Sequence, residues 1–355
     1  CSVTSTAWFR STSTEISWPR LSRFFSAKVS ACGTGARWVP AVRPAPLSAF
    51  APAAPALEEG AVLLVSGGAR GITAATVLAL CRHKRLRVAL LGRSPLEEEP
   101  AELRHVEGDG ALKQTLLGLS RARGEAPTPA ELGARVRKLL AAREIRATLA
   151  ALHATGSQAR YYPVDLRDAA ALSDVISDVH GCWGSIAGVV HGAGVLADRL
   201  IAEKTAAQFD EVFDTKVAGL HALLTATRKE PLRILFLYSS IAARQGNAGQ
   251  CDYAMANAVL DQVAQSEAAR RGDGCLVRSI AWGPWEGGMV TPSLREHFLR
   301  QSVPLIPLAA GAQALVQELC AGEHGPTAPA DPILVAGELA AALPRPAGSQ
   351  AESPV

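Results

Sequence analysis

The sequence lacks the features that mark several specialised classes of protein. It contains no run of about 18 apolar residues, so no segment is expected to span a membrane. No group of Cys and His residues has the spacing of metal ligands, so no bound metal is expected. The seven cysteines are scattered along the chain, which is typical of reduced thiols in a reducing compartment.

Aromatic residues and net charge are also scarce. Aromatics make up 5% of the 355 residues, whereas 48% are hydrophobic, so the core must consist mainly of Ala, Leu and Val. That composition suits helices packed on a parallel sheet. The net charge of +3 is too small to indicate a nucleic-acid partner, and none is expected.

The two ends of the chain differ in composition from its middle. Residues 1–57 are rich in Ser, Thr, Arg, Ala and Pro and contain a single acidic residue, Glu15. They are interpreted as a disordered leader, a linker or an organelle transit segment. The protein is thus expected in the cytoplasm, or in a plastid or mitochondrion if 1–57 is a transit segment. Residues 341–355 are expected to form a disordered tail, and 58–340 a single domain.

Within 58–340, short apolar runs alternate with helical patterns. This alternation predicts βαβ units and an α/β fold with a doubly wound parallel sheet of the Rossmann type. The gap between the second and third strands is too long for one crossover, so residues 95–158 are interpreted as a helical insertion. Thr128 and Glu131 have the spacing of a capping box, which predicts a helix over 129–153. The predicted strands lie at 62–66, 88–91, 160–164, 186–191, 234–239 and 276–281, with a candidate seventh at 332–336.

A glycine-rich turn follows the first predicted strand and opens the first helix. Such a turn allows a pyrophosphate to approach the backbone, and the helix N-terminus supplies N–H donors and partial positive charge. The second strand ends at Arg93 and Ser94, where an acid that binds the ribose of NAD would otherwise stand. NADPH is therefore the expected cofactor. Its predicted ligands in these two segments are Gly67, Gly68, Arg70, Gly71, Ile72, Arg93 and Ser94.

Two later strand ends are expected to complete the cofactor site. Asp165 and Leu166 follow the third strand, and the carboxylate is placed to accept the adenine amino group. Ala193 and Gly194 follow the fourth strand, and their small side chains would let the cofactor lie against the backbone. His191, just before them, is interpreted as a packed histidine beside the cofactor and not as a general base.

Four residues form a candidate catalytic set. Ser240 ends the fifth strand, Tyr253 begins a helix thirteen residues later, and Asn257 lies one helical turn further on. Lys216 is placed on the preceding helix. Reduction of a ketone needs a hydride and a proton, and a phenol with a pKa of about 10 is a weak acid at neutral pH. The ammonium of Lys216 is expected to lower the pKa of Tyr253 towards 7, while Ser240 holds the carbonyl oxygen and Asn257 relays protons or fixes the lysine.

The chain resembles the short-chain dehydrogenase/reductase superfamily and, within it, the ketoreductase domains of polyketide and polyunsaturated fatty acid synthases. In most of the superfamily the lysine follows the tyrosine by four residues, whereas here Asn257 stands there and Lys216 comes from the earlier helix. The segment around Tyr253 and the later Trp282-Gly-Pro-Trp285 are also characteristic. The resemblance implies NADPH-dependent reduction of 3-oxoacyl chains on the phosphopantetheine arm of an acyl carrier protein. Other synthase domains are further expected partners.

The resemblance also carries finer expectations. Asp198 matches the last position of the signature of B-type ketoreductases, and Gln245 stands where the opposite type has tryptophan, which implies a D-configured alcohol. Thr73 replaces the last glycine of the usual turn, so looser helix packing is expected there. Apart from the resemblance, the position of the region 286–305, with Gly287 and Gly288 ahead of a helical pattern, makes it a candidate mobile lid over the active site.

Three alternatives remain open from the sequence. The chain could be a stand-alone reductase of a carbonyl substrate that is not carrier-bound, although the position of Lys216 argues against it. It could be a non-catalytic, structural ketoreductase-like domain, although Ser240, Tyr253 and Lys216 are all present. It could also be a piece cut from a larger synthase, since the 60 residues before the first predicted strand do not resemble a second Rossmann unit.

Overall fold

A parallel sheet forms the centre of the computed structural model, which describes residues 6–12, 41–44, 57–290, 292–300, 303–320 and 333–336. Over these residues the sheet has nine strands in the order β2-β1-β9-β8-β7-β6-β3-β4-β5. The strands are β1 (Thr6–Thr12), β2 (Ala41–Pro44), β3 (Val62–Ser66), β4 (Arg87–Gly92), β5 (Gln158–Pro163), β6 (Ile186–His191), β7 (Ile234–Ser240), β8 (Leu276–Trp282) and β9 (Ile333–Ala336). The predicted α/β fold with a doubly wound parallel sheet is confirmed.

Helices connect the strands and cover both faces of the sheet. None of those in the described ranges is long and apolar enough to cross a membrane. They are α1 (Gly71–His83), α2 (Asp109–Ala122), α3 (Pro129–Ala154), α4 (Ala169–Trp183), α5 (Ala206–Ala226), α6 (Ala242–Gln245), α7 (Cys251–Arg271), α8 (Pro292–Arg300) and α9 (Leu308–Cys320).

The strand order reverses beside β3. This strand pairs with β4 on one side and with β6 on the other, so the chain runs outward in both directions from the same place. The loops that follow β3 and β6 therefore diverge and leave a crevice at the carboxyl ends of the strands. Ligands of open α/β sheets bind in such a crevice.

The central strands are buried on both faces, as expected for a covered parallel sheet. Successive side chains of β3 point to opposite faces. Leu63 and Val65 pack in one core with helices α1, α3 and α9, and Leu64 packs in the other with α4, α5 and α7. All three side chains are fully buried. The crevice thus lies at the ends of strands that are packed on both faces.

The insertion between β4 and β5 contains two helices. The predicted capping box is present at α3: the Thr128 hydroxyl accepts from the Glu131 N–H at 3.3 Å, and Glu131 Oε2 accepts from the Thr128 N–H at 2.7 Å. The helix begins at Pro129, as predicted, and ends one residue beyond the predicted end. Helix α2 was not predicted. A small core of Leu103, Leu112 and Val136 joins the two helices.

The sequence prediction differs from the structure at the N-terminal end. Strands β1 and β2 lie within 1–57, where no strand was predicted, and β1 pairs in parallel with β9. The pairing partner is more than 300 residues away along the chain, which local patterns do not reveal. The rest of the predicted leader before residue 57 and the predicted tail 341–355 lie outside the described residues, so the domain boundaries stay predictions.

The packing at Thr73 corrects a further expectation. Its side chain is buried and fits against Gly192, where a Cβ atom would collide with the Thr73 hydroxyl. In the usual turn the glycine on α1 leaves room for the neighbouring strand. Here Gly192, which follows β6, has no side chain and leaves that room for Thr73. The expected looser packing is therefore wrong.

Candidate active site

A cavity of about 1520 Å³ opens at the carboxyl ends of β3, β4, β6 and β7. Ligand pockets commonly measure roughly 300–1,000 Å³, so this one has room for a dinucleotide and a substrate together. The structure brings most of the predicted site residues onto its wall. These are Gly67, Arg70, Gly71, Ile72, Arg93, Ser94, Asp165, Leu166, Ala193, Gly194, Lys216, Ser240 and Tyr253.

Gly68 and Asn257 do not line this cavity. Gly68 faces the core, where an added Cβ atom would lie 3.2 Å from Leu90 Cδ2 and would collide with Val65. The position therefore needs glycine for the packing of the turn on β3 and β4. Asn257 is fully buried behind Tyr253.

The glycine turn presents the N-terminus of α1 to the cavity. Gly71 opens the helix with φ +62°, a left-handed conformation that glycine adopts without strain. Its N–H donates a hydrogen bond of 2.9 Å to Oε1 of Glu144, which comes from α3 of the insertion. A carboxylate thus binds the helix amide that the sequence assigns to the pyrophosphate. Glu144 and Lys138, both from α3, line the cavity and were missed by sequence reasoning.

Arginines border this end of the cavity. Arg70 and Arg93 have exposed side chains on its wall. Asp165 forms a paired contact with Arg167, with 2.7 Å between Oδ2 and Nη2, and this contact lowers the pKa of Asp165 to about 2. The carboxylate expected to accept the adenine amino group already has a guanidinium partner. Arg167 stands two residues after Asp165, but no local signal distinguished it from a surface arginine.

Ser94 contributes its backbone to the wall. Its carbonyl oxygen accepts a hydrogen bond of 2.7 Å from the Tyr161 hydroxyl, which fixes the end of β4 against β5. The cations beside it, the helix amides and the small residues after β6 fit a dinucleotide cofactor.

Lys216 lies in α5, and its side chain lines the cavity. It is 3% exposed, and its ammonium donates a hydrogen bond of 2.9 Å to the carbonyl oxygen of Tyr238. The nitrogen stands 5.6 Å from the centre of the Tyr253 ring. Burial lowers the pKa of Lys216 from 10.5 to about 8, and the charge of Asp261 partly opposes this change.

Tyr253 and Ser240 face each other across the end of β7. Ser240 is the last residue of β7, and Tyr253 is the third residue of α7. Burial raises the pKa of the Tyr253 phenol, while hydrogen bonds with the Ser240 and Asn257 side chains lower it. Burial is the largest effect, so the expectation that Lys216 brings this pKa down towards 7 is wrong for this arrangement.

Asn257 and His191 are buried and contact the backbone of Tyr253 and Lys216, respectively. The Asn257 Nδ2 donates to the Tyr253 carbonyl oxygen at 2.8 Å, whereas its buried Oδ1 has no hydrogen-bond partner within the described part of the chain. His191 Nε2 lies 2.9 Å from the Lys216 carbonyl oxygen, so this nitrogen carries the proton and Nδ1 accepts from the Ser66 hydroxyl at 2.7 Å. Burial lowers the pKa of His191 to about 3, which agrees with a packed, neutral histidine.

The segment before α8 closes one side of the cavity. Gly287, Gly288, Met289 and Val290 line it, and Gly288 packs on Ile72 of α1. Residues 291 and 301–302 of the candidate lid lie outside the described residues. That 286–305 moves as a lid stays a prediction.

Comparison with known proteins identifies the family. The model of the KR domain matches residues 61–287. One polyunsaturated fatty acid synthase subunit from Thraustochytrium sp. is 39% identical over 264 residues, which are 72% of this chain and 9% of that protein. The polyketide synthase PksL of Bacillus subtilis is 33% identical over 196 residues, which are 53% of this chain and 4% of that protein. The chain thus spans less than a tenth of the length of these relatives.

Solved structures agree with this result. An N-terminal ketoreductase from the macrolactin assembly line matches with a TM-score of 0.56 and 25% identity, over 75% of this chain and 44% of that one. A ketoreductase domain from the bacillaene assembly line matches with a TM-score of 0.55 and 26% identity, over 73% and 53% of the two chains. A short-chain type dehydrogenase/reductase from Mycobacterium ulcerans shares the fold, with a TM-score of 0.59 and 19% identity over 82% and 93%.

The family model covers more than half of the chain, and its relatives are synthases of polyketides and polyunsaturated fatty acids. KR domains are oxidoreductases of the short-chain dehydrogenase/reductase type and use a nicotinamide cofactor. The chain belongs to the KR domain family.

Proposed function

We propose that this domain reduces 3-oxoacyl thioesters to 3-hydroxyacyl thioesters with NADPH. The observation that carries the proposal is the meeting of three side chains at one cavity wall. The Ser240 side chain is close enough to lower the pKa of the Tyr253 phenol, and the Lys216 ammonium stands 5.6 Å from the centre of the tyrosine ring. A hydroxyl, a phenol and a buried cation are what the polarisation and protonation of a carbonyl require.

When bound, the dihydronicotinamide supplies the hydride that reduces the carbonyl carbon. The carbonyl oxygen gains negative charge in that step and takes the phenolic proton of Tyr253. The Ser240 hydroxyl donates a hydrogen bond to the same oxygen and holds it in line with the phenol. The product is a secondary alcohol, and the phenolate left behind is stabilised by a nearby positive charge.

Lys216 supplies that charge. Its pKa of about 8 leaves the ammonium protonated at neutral pH, although it is buried. Burial raises the pKa of Tyr253, so the phenol stays protonated until the carbonyl oxygen gains negative charge and accepts the proton. The free Oδ1 of Asn257 is a buried acceptor beside the helix start, and we assign it to the return of the proton to Tyr253.

The preference for NADPH rests on the cations at the opposite end of the cavity. Arg93 follows the strand whose end lies beside the adenine ribose in dinucleotide-binding folds, and Arg70 stands in the glycine turn. Both side chains are exposed and can pair with a 2′-phosphate. The chain contains no acid at the end of β4 that would favour NADH.

We further propose that the substrate arrives on the phosphopantetheine arm of an acyl carrier protein, in fatty acid or polyketide synthesis and beside other synthase domains. The relatives named above are synthases many times longer than this chain. Leu200 and Ile201 in the loop after β6 and Met255 in α7 have exposed apolar side chains. Such side chains suit contact with an acyl chain or a partner domain.

The test is the oxidation of NADPH, followed by absorbance, with a short 3-oxoacyl thioester. Wild type is compared with Tyr253→Phe, and the assay is repeated with NADH. We expect turnover with NADPH, and a fall of about 100-fold or more in kcat for the variant, since general acid catalysis contributes roughly 10²–10⁴-fold. The variant should bind NADPH as wild type does.

The opposite result is equally clear. Tight binding of NADPH without turnover, on free thioesters and carrier-bound substrates alike, would favour a structural domain. Turnover of simple ketones in preference to thioesters would favour a stand-alone reductase.

A further inference from the structure

We propose that Lys204 and Asp252 are positioning residues that hold the loop 195–204 against the start of α7 and so determine which face of the substrate carbonyl is reduced. This inference rests on the proposed function for its stereochemical part. The loop follows β6 and leads to α5, and it has no regular secondary structure.

The two residues form an ion pair inside the protein. Lys204 Nζ lies 2.5 Å from Asp252 Oδ2, and the two side chains are 3% and 1% exposed. Each partner also binds a backbone group of its own segment. The ammonium donates to the Ala197 carbonyl oxygen at 2.9 Å, and Asp252 Oδ1 accepts from the Tyr253 N–H at 2.8 Å. The pair therefore connects the loop backbone directly to the amide of the proposed proton donor.

Two further contacts join the same segments. The Arg199 N–H donates to the Gly249 carbonyl oxygen at 3.0 Å, and Gln250 Nε2 donates to Asp198 Oδ2 at 2.9 Å. Both lie near the surface, where competition with water makes such contacts weak. The buried ion pair is the contact of this group that water does not reach.

Stability alone does not explain the pair. Two charges lose their hydration when they are buried, and an apolar pair of similar volume is often as stable or more stable. What the ion pair adds is a defined conformation of the loop. An ammonium that binds both a carboxylate and a carbonyl oxygen allows one arrangement of the loop, whereas an apolar contact allows several.

The held loop forms the substrate side of the cavity. Val195, Leu196 and Asp198 line the wall, and Tyr253 stands on the facing helix. The proton donor and this wall belong to different segments of the chain. Their relative position decides how an acyl chain lies while its carbonyl points to Tyr253, and hence which face of the carbonyl meets the hydride.

The first experiment measures the enantiomer ratio of the 3-hydroxyacyl product from a short 3-oxoacyl thioester. Lys204→Met removes the ammonium and keeps the stem, and Asp252→Asn removes the charge and keeps an acceptor for the Tyr253 N–H. We expect the fraction of the minor enantiomer to rise about tenfold and KM to rise severalfold in both variants. The equilibrium Kd for NADPH should stay within about twofold of wild type.

The matched control is Arg278→Met. Arg278 in β8 forms an ion pair with Glu318 of α9, with side chains 7% and 2% exposed, on an element that does not carry the loop. This variant is expected to lose stability and to keep the enantiomer ratio. A change in enantiomer ratio equal to that of Lys204→Met would overturn the proposal, because loss of any buried pair would then suffice.

A double variant guards against failure to fold. Lys204→Met with Asp252→Asn leaves no unpaired charge, so it is expected to fold and to show the same loss of selectivity. If it folds and retains the wild-type ratio and KM, the proposal is wrong.

Amide hydrogen exchange separates this proposal from the proposed function. If wild type reduces no thioester, exchange in 195–204 still reports on the loop. Faster exchange there in Lys204→Met than in wild type and Arg278→Met supports the positioning of the loop, and the stereochemical part then falls with the reaction. Unchanged exchange contradicts the proposal outright.

Discussion

The two ends of the cavity carry similar charges in opposite surroundings. At the end proposed for catalysis, called here the reactive end, Lys216 is 3% exposed and Asn257 is fully buried. At the end proposed for the 2′-phosphate, called here the phosphate end, Arg70 and Arg93 are exposed. The ion pair of Arg167 with Asp165 at that end is 41% and 36% exposed. The same guanidinium or ammonium charge therefore acts through protein at one end and through water at the other.

This difference sets the size of each charge's effect. At about 4 Å, two charges interact by roughly 4 kcal/mol at an effective dielectric constant of 20 but by about 1 kcal/mol in water. Exposed pairs are also screened by salt. Substitutions at the reactive end should thus act strongly and independently of salt, and those at the phosphate end moderately and with salt dependence.

Lys216→Met tests the reactive end and has the largest expected effect. Without the ammonium, no buried cation would stabilise the phenolate that forms on Tyr253 when it gives up its proton, so kcat should fall by about 100-fold or more. In wild type, kcat should fall as pH rises through about 8, where Lys216 loses its proton. Steady-state kinetics at low and high salt checks both, and a strong salt dependence would contradict the comparison.

The same substitution should stabilise the fold at neutral pH. The pKa of Lys216 falls from 10.5 in the unfolded chain to about 8 in the folded one. The unfolded state thus binds more protons between these values, and the stability of wild type should rise with pH across that window. Below it, burial of the charge costs up to roughly 3 kcal/mol, which Lys216→Met removes.

Chemical denaturation of both proteins between pH 7 and pH 10.5 measures this difference. The stability advantage of the variant should shrink as pH rises. An advantage that stays constant with pH would mean that packing, and not charge burial, separates the two proteins.

Arg93→Ala tests the phosphate end and has an intermediate expected effect. A hydrogen bond to a charged group is worth about 1.5–3 kcal/mol, so the Kd for NADPH should rise about tenfold to a hundredfold. The Kd for NADH should not change. Fluorescence titration at low salt and at about 1 M salt should show the NADPH effect shrinking as the Debye length falls.

Arg104→Ala, on an exposed arginine of the insertion, is the control for loss of a surface charge. Equal losses for NADPH and NADH in Arg93→Ala would contradict the assignment of this arginine to the 2′-phosphate.

The elements of the fold were largely predictable, because each carries its own local signal. The strand β3 is a short apolar run followed by a glycine turn, and α3 has a capping box and Pro129 at its first position. The meeting of Ser240, Tyr253 and Lys216 at one cavity was predictable because each residue stands at a fixed place on such an element, whereas their catalytic roles stay predictions.

The electrostatic environment of the site was not predictable in the same way. The contacts of Glu144 with Gly71 and of Lys204 with Asp252 join residues 73 and 48 positions apart. The pKa of Tyr253 depends on burial, which spacing does not reveal. Pairings of this kind arise only once the insertion and the loop after β6 are placed on the sheet.

Glu144→Gln has the smallest expected effect and sharpens the comparison most. Its carboxylate accepts from the Gly71 N–H at an exposed helix start, where a diphosphate oxygen would otherwise bind. The anion must therefore displace a carboxylate, and removal of that charge should tighten NADPH binding. Charges at an exposed helix N-terminus are worth about 0.3–1 kcal/mol, which predicts a two- to fivefold lower Kd.

Fluorescence titration measures the Kd for NADPH. The control is Glu107→Gln, which changes an exposed acid of the same insertion. Weaker binding in Glu144→Gln would mean that the carboxylate orders the start of α1 for the cofactor instead of competing with it, and the phosphate end would then depend on a fixed protein contact as the reactive end does.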